Sequence, residues 1–246
     1  MGIVYPLVLF PLALIATCFV LKMNNISSYS WLFLFFYLLP GVLGLWWARR
    51  YKIKILFLPR NRYFWISLLG GFLIGALAFF VNLWFSEEAI QIVGIKKAII
   101  YLFYYILFLF LLFMFFIGGE ICWRGYLWER WKNYPIRREI AIWLLWSLWS
   151  VPMSMTSSEI LFGVILNNLS LMPILHFFRE KSQSIGPGTL FYASLNATLL
   201  CFHMFFSYFE NCHLIIQDVL LLLASGMFVF FRWKGIKFNL LGGTPN

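Results

Sequence analysis

The chain has 246 residues, 63% of them hydrophobic and only 11% charged, with a formal net charge of +10. A soluble domain carries about 25% charged residues, so this composition excludes one. Hydrophobic runs of about twenty residues recur along the whole length, and the shorter alternating strands of an outer-membrane barrel are missing.

In chain order, about eight apolar spans are expected, at roughly 5–22, 31–48, 63–85, 98–118, 139–157, 160–178, 188–207 and 213–231. The fold class is therefore all-α, a polytopic transmembrane bundle. With no linker, internal repeat or low-complexity tract, it forms a single integral membrane domain over residues 1–246. The first run lacks a basic leader and a small-residue cleavage site, so it reads as a span and not as a removed signal peptide.

The basic residues sit between spans. Arg49, Arg50, Lys52, Lys54, Arg60 and Arg62 follow the second, and Arg130, Lys132, Arg137 and Arg138 follow the fourth. Arg179 and Lys181 follow the sixth, and Arg232, Lys234 and Lys237 follow the eighth. Fifteen of the nineteen basic residues thus fall on one side, which the positive-inside rule makes cytoplasmic, together with both termini. The same distribution explains the net charge without nucleic acid; the lipid bilayer is the first partner.

Trp46, Trp47, Trp65, Trp128, Trp131 and Tyr134 cluster near span ends, as interfacial anchors do. Gly70, Gly71 and Gly75 give the third span a small-residue face for close helix packing. Pro152 should kink the fifth span. Cys18, Cys122, Cys201 and Cys212 form no CxxC pair and read as buried small hydrophobes.

The stretch from Gly118 to Trp128 stands out because it places Glu120 and Arg124 at the end of a wholly apolar span. Intramembrane charges cost roughly 2.5 kcal/mol or more each, so a functional site is one reading and a helix-orienting ion pair is the other. The two residues are four apart, on one helical face. If the fourth span continues to about residue 132, it must tilt, bend at Gly118-Gly119 or protrude.

Polar groups inside other spans are few: Ser147 and Ser150 in the fifth, and Tyr192, Ser194, Asn196 and Thr198 in the seventh. Such groups commonly form interhelical hydrogen bonds. His176, His203 and His213 are not spaced as a metal pair, and HExxH is missing; His203, two turns beyond Asn196, is the one weighed as a ligand. His176 is expected at the cytoplasmic end of the sixth span, beside Arg179, and His213 at the external interface.

Together these segments resemble the CPBP family of intramembrane metalloproteases, the CAAX-processing and bacteriocin-processing ("Abi") proteins. Gly119-Glu120-Ile121-Cys122-Trp123-Arg124-Gly125-Tyr126-Leu127 is similar to the family's EExxxR motif, and Trp146 to Pro152 to its FxxxH motif followed by a hydrophobic residue and Pro. Tyr192-Ala193-Ser194-Leu195-Asn196 is similar to its HxxxN motif, and Arg179 to Ile185 to the basic loop before it. The family-like core runs over about residues 95–210.

The resemblance implies a site in which the first Glu and the motif-two His activate water, the third motif supplies His and Asn, and a metal such as zinc takes part. This chain keeps Glu120, Arg124 and Asn196 as the catalytic-motif positions. Gly119, Ser150 and Tyr192 occupy the positions of the first Glu and the two histidines. A metal hydrolase needs about three protein ligands and a bound water, which these residues do not supply.

The expectation is therefore a pseudoprotease without a cofactor that binds a protein or peptide partner in the inner membrane of a bacterium, with bacteriocin immunity as a possible biology. The alternative is an active metallo-endopeptidase using zinc or a similar ion in a rearranged site with Glu120 and His203. A transporter would need broken helices in inverted repeats, and no such repeat is visible.

Overall fold

The computed structural model describes residues 4–20, 30–57, 61–85, 95–153, 158–206, 221–223 and 225–226. Among these residues every regular element is helical. Helix α1 spans Val4–Val20, α2 Ser30–Arg50, α3 Asn61–Phe85 and α4 Ile95–Glu120. A π-helical segment, Ile121–Leu127, joins α4 to the short α5, Trp128–Arg130. Then come α6, Pro135–Ser150, a 3-10 turn at Val151–Met153, α7, Ser158–Ser182, and α8, Gly186–Phe206.

Seven of the expected spans coincide with these long helices. Most of the eighth lies outside the described residues, although Leu221 is buried and the Ser225 hydroxyl donates to the Ser170 carbonyl on α7. Two stretches, Arg62–Val81 and Ile100–Arg130, are long and apolar enough to cross a membrane.

The fourth span differs from expectation in how it accommodates its length. The α-helix runs through Gly118-Gly119 and widens into the π segment immediately after Glu120. The fifth span also differs. The α-helix stops at Ser150 instead of kinking within a longer helix, because Pro152 lacks the N–H and crowds the preceding turn.

The small-residue face of α3 packs as expected, with α8 as its neighbour. A Cβ on Gly71 would run into the Phe191 carbonyl oxygen, and one on Gly75 would stand 3.0 Å from that of Leu195. Helix α2 crosses α4 in the same way, since a Cβ on Gly41 would meet the Gly118 Cα at 2.8 Å. Lipid gives helices no hydrophobic reason to associate, so this close backbone approach is what holds the pairs. Helix α8 touches α3, α4 and α7, and so lies at the centre of the bundle.

The basic connections gather at one end. Helix α2 closes in a Schellman arrangement, with Lys52 at φ 54° and the Ile53 N–H donating to the Ala48 carbonyl at 2.9 Å. Beyond it, the Ile185 N–H donates to the Leu56 carbonyl at 3.0 Å, and the Ser184 hydroxyl to that of Phe57 at 2.9 Å. The Arg130 guanidinium lies 5.1 Å over the Tyr51 ring. Arg49, Arg50, Lys54, Lys132, Arg137 and Lys181 are exposed in these end segments.

Candidate functional site at the π-helical segment

The π segment begins directly after Glu120 and contains Arg124, and all seven of its residues are buried. Glu120 and Arg124 are 3% and 0% exposed. Arg124 Nη1 donates to Glu120 Oε1 across one turn, so the two charges neutralise each other where water does not reach.

The guanidinium has further partners on two other helices. Its Nη2 is 3.3 Å from the Met172 sulfur on α7, and its Cζ lies 4.6 Å from the centroid of the Trp146 ring on α6. A desolvated cation over an indole face gains about 2 kcal/mol. The second oxygen of Glu120 has no hydrogen-bond partner among the described residues. It faces the first turn of α8, where a Cβ on Gly188 would stand 3.7 Å away, so the positive end of that helix dipole bears on the carboxylate.

Trp146 is the surface shared by the three motif segments. The Tyr192 ring meets it edge-on, with centroids 6.0 Å apart, and stacks on Phe116 at 4.1 Å. Phe116 lies one turn before Glu120. One turn after Trp146, the Ser150 hydroxyl donates to the Trp146 carbonyl at 2.9 Å and accepts from the Asn168 amide at 3.0 Å. Asn168 and Met172 are themselves one turn apart on α7, so one face of that helix serves both Ser150 and Arg124.

The remaining sequence candidates are placed differently. The Asn196 amide donates to the Tyr192 carbonyl within its own helix, at 2.9 Å. Gly119 leaves room for an indole: a Cβ there would stand 3.2 Å from Trp123 Nε1. Ser147 is buried, and its hydroxyl has no partner among the described residues. His203 belongs to α8, but its side chain is not among those described, and His213 lies outside the described residues.

A second polar cluster adjoins the site at the basic end. Arg179 Nε donates to the Arg124 carbonyl at 2.8 Å, and its Nη2 reaches Glu129 Oε1 at 2.5 Å. Trp128 is flanked by the Arg138 guanidinium, 3.4 Å from its ring centroid, and by the edge of the His176 ring at 4.8 Å. His176 thus sits one turn before Arg179 at the basic end, where it was expected. Burial lowers the Arg179 pKa below the ordinary arginine value; Glu129 opposes that shift and Arg138 adds to it.

Zinc would need several imidazole, thiolate or carboxylate donors converging on one point. Among the described residues, no group of three or more His, Cys, Asp or Glu is close enough to hold a metal ion. Ser150 is engaged with α7, the Tyr192 ring is packed between aromatics, and Gly119 offers no donor. These residues do not fit the metal that the resemblance implies.

Sequence reasoning missed Asn168, Met172 and the inward reach of Arg179. Asn167-Asn168 is a polar pair inside the apolar α7, the kind of intramembrane feature that marks a packed or functional face. Met172 carries no comparable mark.

No curated protein and no solved structure matches the chain. Residues 101–198, which include all three motif segments, match the family model for type II CAAX prenyl endopeptidase Rce1-like proteins. The helical core built around Glu120, Arg124 and Trp146 is accordingly the part of the chain that carries the Rce1-like match, to a domain of the CPBP family of membrane proteins.

Proposed function

We propose that this protein is a pseudoprotease: an Rce1-like membrane scaffold that binds a protein or peptide partner and does not cut it. One observation carries this reading. The two positions where the resemblance calls for histidines hold Ser150 and Tyr192, and both are used in packing: Ser150 bonds Asn168 and the Trp146 carbonyl, and Tyr192 stacks on Phe116.

General acid–base work needs a group that titrates near neutral pH beside the reacting atoms. Glu120 is the one carboxylate at the site among the described residues, and Arg124 already holds one of its oxygens. What persists is the part of the motif that ties α4, α6 and α7 together. In the bacterial inner membrane the basic end faces the cytoplasm, with both termini on that side. Immunity to a secreted peptide is a role suited to such a binder.

The competing reading is an endopeptidase with a rearranged site. It draws on the second oxygen of Glu120, which lacks a partner among the described residues and would be open to a metal or a water. Metal analysis of the purified protein, run beside a peptidase assay on prenylated and unprenylated peptides, separates the two. The pseudoprotease predicts no stoichiometric transition metal and no chelator-sensitive cleavage. One equivalent of zinc, with cleavage abolished by chelator and by Glu120→Gln, would establish the endopeptidase.

A further inference from the structure

Seven consecutive residues are a long run for a π conformation, which usually occupies a single turn within an α-helix. Something outside the segment has to favour it. Where the π segment gives way to α5, the Trp128 N–H bonds the Gly125 carbonyl and the Trp131 N–H bonds the Leu127 carbonyl. The Arg124 carbonyl accepts from Arg179 Nε, a residue of α7 that is 55 positions away in sequence.

The same guanidinium holds Glu129 through Nη2. Arg124 and Glu129 are five residues apart, the separation that a π-helical hydrogen bond joins. Arg179 therefore brackets one π turn from outside, using two arms of a rigid planar fork. Arg179 is itself buried, at 3% exposure, and is fixed from behind. The Gln183 N–H bonds its carbonyl at 3.0 Å, and the Ser182 hydroxyl accepts from the Ser184 N–H at 3.1 Å.

We infer that Arg179 is a positioning residue: it fixes the π register of residues 121–127 and, through that register, the alignment of Arg124 with Glu120. Arg124 is held twice, by its side chain against Glu120, Trp146 and Met172, and by its backbone against Arg179. Rewinding the segment as an α-helix would rotate the residues after it relative to those before it. Arg124 would then lose either its carbonyl partner or its side-chain partners. This role holds whether or not the chain cuts peptides.

Hydrogen–deuterium exchange of the full-length protein in detergent or nanodiscs tests it, with Arg179→Lys and Arg179→Gln compared against Glu129→Gln. A lysine keeps the charge and can satisfy Glu129 or the carbonyl, but it cannot bracket both. Both Arg179 variants should raise exchange in peptides covering 121–130 by about tenfold, with α3 and α8 unchanged. Glu129→Gln, which leaves the carbonyl bond in place, should raise it less. If Arg179→Gln does not accumulate as folded protein, Arg179→Lys decides alone. Wild-type exchange over 121–130 in Arg179→Lys, or an equal rise across α3 and α8, would overturn the assignment.

Discussion

The Arg124 guanidinium lies 4.6 Å over the ring of Trp146, one turn before Ser150, the position where the resemblance calls for a histidine. A cation on that face and the edge of Tyr192 beside it give the indole a packing role. The arginine has thus become the hub of three helices in a site that lacks imidazoles at the family's positions.

Removing one member of the buried pair should be costly, and removing both much less so. Arg124→Met leaves Glu120 as an uncompensated buried carboxylate, at an expected cost of about 3–5 kcal/mol, whereas Glu120→Leu with Arg124→Met should cost less than either single change. Unfolding of the purified variants by denaturant in micelles measures this. A double variant less stable than both singles would contradict it.

The crossing of α2 over α4 should tolerate no side chain at Gly41. An alanine Cβ would press on the Gly118 backbone, and forcing the helices apart costs about 1–3 kcal/mol. Gly163 on α7 has nothing within 4 Å of an added Cβ, so Gly163→Ala should be neutral or stabilising by up to about 1 kcal/mol. Melting temperatures of the two variants, measured side by side, should move in opposite directions or differ clearly.

The bond from Asn168 to Ser150 should appear as a coupling energy. A cycle of Ser150→Ala, Asn168→Ala and the double variant is expected to give about 0.6 kcal/mol, the usual size for a polar contact between membrane helices. Zero coupling would mean that the two side chains do not act together.

Tyr192→Ala should open a hole between Phe116 and Trp146. The loss of packing and ring contacts is worth about 2–3 kcal/mol for a half-buried aromatic. Tyr192→Trp or Tyr192→Phe should retain most of that stability. Thermal unfolding of the three variants orders them.

The sequence exposes what is local and hides what is assembled. Glu120 and Arg124 were readable as partners because one turn of helix brings them together without help from the rest of the chain. Gly71 and Gly75 announced a close contact through their spacing, but not that α8 supplies the other side. The π segment left no mark, since apolar periodicity does not distinguish a widened turn from an α-helix. Pro152 was legible as a breaker, while its outcome, an end and not a kink, depended on the 3-10 turn that follows. Asn168 and Arg179 act on residues 18 and 55 positions away, and only the packed bundle shows those pairings.

The order in which the chain is synthesised gives the four-residue spacing of the ion pair a further consequence. Helices inserted from the N-terminus bring Glu120 and Arg124 to the bilayer before Trp146 and Met172 have been made. At that moment each charge has only the other, one turn away on the same segment, to offset it. The pair thus travels as an internally neutral unit, and α6, α7 and α8 close around it afterwards.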